Sequence, residues 1–406
     1  MKRKLWTGLV LGLLLALVCY GAATADDSGT CGANLKWEYK SDTGELFITG
    51  SGAMGNYASS SPPWYEYEED VRDIYIADGM TSISPYAFYK CKNLLSIEIP
   101  KSVTWIGYKA FEKCLNLNWV WIYNPKTVIG DSDYDVFKQG TRIEGWKGST
   151  AEMYAAGAGN EFKGWETSGQ CGDNVWWSLS RDATEMTMSG TGSTWNMYYD
   201  LGAYHHARYI VESVRIGEGI TELENDLFNE WPYLTSVTIP DSLTYIGANA
   251  FAGTGIGPSL TFSRNMREIQ SRAFQNCPNL TSVTFFGCEY PAIRAYAFAD
   301  GSPDLTIHGW PDSWAEYYAT FLDDITFQPL DIPEADLILP ESLTTINKET
   351  FVGIKAKAPL IPRTVTTIVG NPFEDSGIQV IYGYYNSEAD KFAERYDYYF
   401  VEIDGD

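Results

Sequence analysis

A spacing of 23 residues runs through this chain and limits what it can fold into. Ile74/Ile97, Ile76/Ile99, Ile83/Ile106, Phe88/Phe111, Cys91/Cys114 and Leu94/Leu117 all keep it. It returns in Val214/Val237, Ile216/Ile239 and Phe228/Phe251/Phe274, and becomes 22 in Leu339/Ile361, Ile346/Ile368 and Phe351/Phe373. Self-similarity at such a period means stacked units, none of which can bury its apolar side alone. Each unit reads as a short strand such as Leu94-x-x-Ile97-x-Ile99, a turn at Pro100, a second apolar pair at Val103 and Ile106, then Ala110-Phe111. Alternation along the strand points Ile97 and Ile99 inward, and coils stacked about 4.8 Å apart align like residues into ladders. Burying a Phe contributes roughly 1.5–3 kcal/mol, so the Phe ladder is expected to be a principal stabiliser.

A longer repeat encloses the short one. Cys31-Gly32-Ala33-Asn34-Leu35-x-Trp37 recurs 140 residues later as Cys171-Gly172-Asp173-Asn174-Val175-x-Trp177. Alternation in Leu46-Phe47-Ile48-Thr49 between glycine-rich punctuation predicts a β-hairpin that covers the open edge of the first coil. A closing signature appears three times, as Ile143-x-Gly145 before Ser149, Ile307-x-Gly309 before Ser313 and Ile381-x-Gly383 before Ser387, each Ser opening an Ala-rich amphipathic segment. These read as a strand and a capped helix that closes the coil stack. Ser149 with Glu152 and Ser313 with Glu316 form capping boxes, and Ser387 with Asp390 a shorter version. The expected organisation is a leader at 1–25, modules at 26–166 and 167–331, and a shortened third module at 332–406.

Met1-Lys2-Arg3-Lys4, the apolar run Leu5 to Tyr20 and the small residues Ala23 and Ala25 before Asp26 make up a secretory signal peptide, with cleavage between Ala25 and Asp26. The run is shorter than the roughly 20 residues a membrane helix needs. No later stretch reaches that length, so the mature chain is expected to lack a membrane span and to be secreted or loosely surface-associated. The formal net charge is −24, and loss of Lys2, Arg3 and Lys4 makes it more negative still. Such a surface repels nucleic acid and anionic membranes and admits basic partners.

The pattern Ile-Pro-x-x-Val-x-x-Ile-Gly-x-x-Ala-Phe-x-x-Cys, spelled by Ile99 to Cys114, resembles the BspA-type leucine-rich repeat. The Cys-Gly-x-Asn opening resembles modules that precede such repeats in secreted bacterial proteins. The resemblance implies a leucine-rich-repeat solenoid, mostly β with turns, with N-terminal hairpin and C-terminal helix caps. It further implies export, adhesion to an extracellular protein or glycoprotein on host or microbial surfaces, and no catalytic residues or cofactors. The chain departs from the pattern at Trp231 and Thr254, where Cys stands in matching units, and across 131–140, so irregular coils are expected there.

In leucine-rich repeats the outward strand face binds ligands. Trp119 and Trp121 fall on that face, and one period back the same columns hold Ser96 and Glu98, then Asp73 and Tyr75. Tyr75, Glu98, Trp119 and Trp121 are therefore the candidate ligand-binding residues, flat rings suiting peptide or sugar stacking. Alternatively, the loop from Asn124 to Gly140 folds over both Trp residues. Thr235, Ser236, Thr238, Thr281, Ser282 and Thr284 give later coils a merely solvated face. Of the cysteines, Cys91, Cys114 and Cys277 sit three residues after a repeat Phe and read as small buried ladder residues, and Cys31, Cys171 and Cys288 complete the set without a Cys-x-x-Cys motif. His205 and His206 are expected on opposite sides of a strand, and with His308 they offer no metal site. Asp131-Ser132-Asp133-Tyr134-Asp135 starts like a calcium loop but lacks its Gly and its closing Glu. The acidic run Glu66 to Asp70 reads as a linker face. A carbohydrate-binding protein using exposed Trp and Tyr is the alternative function. A secreted hydrolase is a remote one, since no nucleophile elbow, zinc helix or phosphate loop occurs.

Overall fold

The computed structural model describes residues 27–57, 62–130, 136–196, 205–287, 292–322, 325–351, 355–374 and 376–403. The proposed leader with its Ala25-Asp26 junction, the segment Asp131 to Asp135 and Cys288 lie outside them. The chain is a β-solenoid of about 13 turns with a period near 23, mostly β with few helices. It divides into two compact units. The first holds the described residues up to Gly169 together with Ser178–Glu185 and the described part of 203–211, and the second holds the remainder.

The first unit opens with β1 (Asp27–Thr30), β2 (Gly32–Lys40) and β3 (Glu45–Met54). β2 and β3 pair antiparallel with Trp37 opposite Ile48 and Tyr39 opposite Leu46, all four buried, and β1 adds to the free edge of β2. Gly50 is required where the two strands cross closest. Its φ is +100°, and a Cβ there would stand 2.0 Å from the Asn34 carbonyl oxygen. β3 then serves two sheets, its first half pairing parallel with β4 (Asp73–Ile76) and its second half, past a bulge, with β5 (Met80–Ile83). The hairpin thus pairs with the strands on both faces of the first coil, β4 and β5.

Successive coils contribute β6 (Ser96–Ile99) and β8 (Trp119–Ile122) to an outward sheet, and β7 (Trp105–Ile106) and β9 (Val128–Ile129) to the opposite one. Between them runs an aromatic ladder with centroids 5.2–5.5 Å apart, from Trp64 through Phe88 and Phe111 to Phe137. Tyr154 ends it, and its hydroxyl accepts the amides of Val136 and Phe137 at 3.1 and 3.2 Å. β10 (Arg142–Trp146), the helix Thr150–Ala158 and β11 (Glu161–Trp165) finish the unit.

The second unit repeats this plan. Its parallel outward strands include Ser259–Phe262, Ser282–Phe285, Thr306–Gly309 and Thr326–Pro329. The ladder Phe228, Phe251, Phe274, Phe298 stacks at 5.1–5.2 Å and ends on Tyr318. The described residues of 332–406 belong to this unit and carry an apolar core of their own around Ile346, Phe373 and Phe392.

Several expectations need correction. The helices cap the ends of the aromatic ladders through Tyr154 and Tyr318, as the closing signature implied, and the outward sheet runs on past them. Each is followed by one more parallel strand, Glu161–Trp165, Thr326–Pro329 and Tyr399–Glu402. The capping boxes form differently. Ser149 and Ser387 accept the amides of Glu152 and Asp390, but Ser313 makes no cap hydrogen bond and its buried Oγ is unpaired. The carboxylates of Glu152, Glu316 and Asp390 accept from the residue before the cap, Gly148, Asp312 and Asn386, at 2.6–2.7 Å. All three of those residues have positive φ, which turns their amides toward the first helical turn.

The acidic stretch is no mere linker face. Trp64 just before it is fully buried and donates to the Ala87 carbonyl, Tyr67 stacks on Tyr39 at 4.4 Å, and Glu68 pairs with Lys90 at 3.3 Å. The coils with Trp231 and Thr254 are irregular, as expected: the outward sheet breaks between Ser236–Thr238 and Ser259–Phe262, beside a cis Gly257-Pro258 bond, and Val237 and Ile239 are only half-buried. Trp231 is buried edge-on to Phe228, and Thr254 Oγ1 donates to the Phe251 carbonyl, which also accepts from Cys277 Sγ. His205 and His206 lie in a 3-10 turn, His205–Tyr209, and not on a strand.

Candidate functional site

Parallel, in-register pairing converts the repeat into two columns of side chains on the outward sheet of the first unit. β6–β8 and β8–β10 pairing sets Ser96, Trp119 and Arg142 in line, and beside them Glu98, Trp121 and Glu144. β10–β11 pairing extends these lines to Glu161 and Lys163. On the other side, β3–β4 pairing aligns Glu45 with Asp73 and Phe47 with Tyr75, and β4 packs beside β6. The second column therefore reads Phe47, Tyr75, Glu98, Trp121, Glu144, Lys163. Trp119 is 43 % exposed and Trp121 is half-buried.

The two glutamates of this column differ in their surroundings. Glu144 is buried and lies 3.3 Å from Arg142 Nε and 3.4 Å from Lys163 Nζ. Glu98 has solvent-exposed surface, yet the neighbouring groups withdraw enough water from its carboxyl to raise its pKa. Asp73 is raised for the same reason, with the charge of Glu45 adding to it. Among the described residues no ion pair engages Glu45, Asp73 or Glu98. Tyr75, stacked on Phe47 at 4.8 Å, is pushed up to about 12 by desolvation and then by Glu45, Asp73 and Glu98. Lys40 Nζ lies over the Phe47 ring, 4.7 Å from its centroid.

An aromatic cluster that sequence reasoning missed bounds one end of the face. Tyr123, which follows β8, packs against Trp165 at 5.3 Å and Tyr209 at 4.8 Å, and His206 stacks on Trp165 at 4.1 Å. Trp146 Nε1 donates to the Tyr123 carbonyl at 2.8 Å. The second unit repeats the device, Trp310 Nε1 donating to the Phe286 carbonyl at 2.9 Å while Trp310 stacks on Tyr399 at 4.7 Å. The shared Gly-Trp of Gly145-Trp146 and Gly309-Trp310 was the available signal.

The BspA type Leucine rich repeat region pattern matches this chain in six copies over residues 64–150, 200–316 and 322–392, well over half its length. The chain belongs to the BspA-type leucine-rich repeat family. Similar solved structures include a leucine-rich repeat protein from Eubacterium ventriosum ATCC 27560, 18 % identical over 88 % of this chain and 94 % of that one, with a TM-score of 0.26. A leucine rich cell surface protein from Faecalibacterium prausnitzii A2-165 is 18 % identical over 95 % and 100 % of the two chains, with a TM-score of 0.16. The pneumococcal vaccine antigen PcpA is 14 % identical over 94 % and 100 %, with a TM-score of 0.21. No curated protein matches.

Within this BspA-type chain the four candidates Tyr75, Glu98, Trp119 and Trp121 share one face. The second unit offers different chemistry on its corresponding columns: Ser259 and Thr261, Ser282 and Thr284, Thr306 and His308. Cys31, Cys91, Cys114, Cys171 and Cys277 are buried free thiols. Burial raises Cys31 and Cys171 to about 11 and about 12, and a hydrogen bond to Cys114 together with burial raises Cys91, so reactive thiolate is suppressed. Among the described residues no group of three His, Cys, Asp or Glu could hold a metal ion, and no helix is long and apolar enough to cross a membrane.

Proposed function

We propose that this chain is an exported binding protein whose outward strand face in the first unit takes an extracellular protein or glycoprotein, with Tyr75, Glu98, Trp119 and Trp121 at its centre. The observation that carries this reading is the exposure of Trp119 beside half-buried Trp121 on a regular, parallel sheet. A large ring left in water forgoes the burial that holds ladder aromatics in place, and such rings dominate protein interfaces. Trp119 and Trp121 are held firmly, because β8 is hydrogen-bonded on both sides, to β6 and β10, so little ordering entropy is lost on binding. Family membership agrees with a role in recognition.

The test is capture from a panel of purified extracellular-matrix and bacterial-surface proteins by the wild type and by the double variant Trp119→Ala/Trp121→Ala. The expected outcome is one or more partners retained by the wild type and weakened at least about tenfold by the double variant, the scale of a lost interface anchor. Equal capture by both would remove the assignment. Binding to neutral glycans alone would replace it with the carbohydrate reading.

A further inference from the structure

The column that holds Trp121 contains one completed ion-pair arrangement and one incomplete one. On one side of Trp121, Glu144 is matched by Arg142 at 3.3 Å and Lys163 at 3.4 Å. On the other side Glu98 has no cation, although it stands between the rings of Tyr75 and Trp121 and is desolvated by its surroundings. The neighbouring Asp73 and Glu45 are likewise without an ion-pair partner among the described residues. Lys40 over Phe47 puts a cation at one end of the column, and Lys163 puts one at the other. The middle is anionic and aromatic.

We propose that the occupant of this face is a cationic polypeptide segment, with an arginine side chain seated over Glu98 between Tyr75 and Trp121. The proposal rests on the binding role just described and names the chemistry of its partner.

The geometry suits a guanidinium. Glu98 pairs directly opposite Trp121 across β6 and β8, so at a strand spacing of roughly 4.8 Å a cation over Glu98 lies about 5 Å from that ring, and Tyr75 is near enough to feel the Glu98 charge. That is within cation–π range of Trp121, while the planar fork can take the carboxylate in two parallel hydrogen bonds. Trp119, one column over and exposed, gives the aliphatic stem or the peptide backbone a flat apolar surface. Glu45 and Asp73, aligned on adjacent strands, provide for a second basic residue. A neutral ligand would leave three carboxylates without an ion-pair partner, two of them partly desolvated and only Asp73 eased by the charge of Arg72, a cost that selects against it.

The experiment is calorimetric titration of the chain from Asp26 onward with a glycine-spaced tri-arginine peptide and with its citrulline counterpart, which keeps the planar shape but lacks the charge and has a carbonyl in place of one NH2 donor. The wild type is compared with Glu98→Gln, Trp121→Ala and, as a control, the replacement Trp176→Ala of an exposed tryptophan on the strand Val175–Leu179, each confirmed as folded by circular dichroism. The arginine peptide should bind the wild type and Trp176→Ala equally, about tenfold more weakly to Glu98→Gln and Trp121→Ala, and the citrulline peptide at least tenfold more weakly to the wild type. No arginine binding, equal affinity for citrulline, or indifference to Glu98→Gln would each overturn the proposal. If the arginine peptide fails while the matrix-protein panel still loses capture with Trp119→Ala/Trp121→Ala, the binding face stands and its cationic occupant falls. If capture survives that double variant, the face itself is misassigned.

Discussion

Glu98 and Glu144 flank the same tryptophan, yet removing their charges should have opposite effects. The Glu98 carboxyl is raised by desolvation, so the folded chain binds its proton more tightly than the unfolded chain. Its ionised form therefore costs stability at neutral pH, and stability from this group rises as pH falls through the raised value. Glu98→Gln is expected to be neutral or stabilising at neutral pH, by up to about 0.5 kcal/mol, with the gain fading near pH ~4. Glu144→Gln leaves Arg142 and Lys163 without their shared anion and should cost about 1–2 kcal/mol, because the carboxylate is buried while its cations are partly solvated. Chemical denaturation of both variants at two pH values checks the pair, and a destabilised Glu98→Gln at neutral pH would contradict the description of Glu98 as uncompensated. Position within the 23-residue period made Tyr75, Glu98, Trp119 and Trp121 legible in the sequence. The contrast with Glu144 was only partly legible: Arg142 and Glu144 keep the 23-residue spacing from Trp119 and Trp121, but the second cation, Lys163 on β11, falls 19 residues after Glu144 and outside the period.

The three closing helices share a buried face, Ala151 with Tyr154 and Ala155, Ala315 with Tyr318 and Ala319, and Ala389 with Phe392 and Ala393, but their caps are unequal. Ser149→Ala and Ser387→Ala each remove a made N-cap bond and should cost about 1 kcal/mol. Ser313→Ala removes a buried hydroxyl that has no partner and should be neutral or mildly stabilising. Thermal melts of the three variants decide this, and equal losses in all three would show that Ser313 caps after all. The Ser-x-x-Glu spelling could not separate these cases, since Ser149 and Ser313 both open a Ser-x-Ala-Glu-x-Tyr-Ala run and both are buried, yet only Ser149 accepts the amide of its Glu. In the same way, the ladder from Phe88 to Phe111 was readable from its spacing, whereas Trp64 and Phe137 extend it at intervals of 24 and 26 residues that a search at 23 passes over. The strands after each helix escaped notice because they fall 19–20 residues after the strand they pair with, off the 23-residue spacing. Periodicity exposes what stacks in register and is silent about what starts and stops the stack.

At the scale of the whole molecule, two kinds of outward face share one strongly acidic chain. The first unit presents rings and uncompensated carboxylates, and the second presents Ser and Thr, which water already satisfies. A formal net charge of −24 spreads an attractive field for cations well beyond the contact residues. Long-range steering acts on the rate of encounter, whereas the Glu98 seat acts on how long a bound cation stays. These contributions separate with salt, because the Debye length contracts from about 30 Å at 0.01 M to about 3 Å at 1 M. For the tri-arginine peptide, stopped-flow Trp fluorescence should show the association rate falling by an order of magnitude or more across that range, with the dissociation rate changing only a few-fold. Glu98→Gln should do the reverse, raising dissociation about tenfold while leaving the association rate and its salt dependence nearly intact, since it removes one charge from a large excess. An association rate indifferent to salt would mean that the acidity of this chain serves solubility alone. A Glu98→Gln effect confined to association would place Glu98 in the general field instead of at the seat between Tyr75 and Trp121.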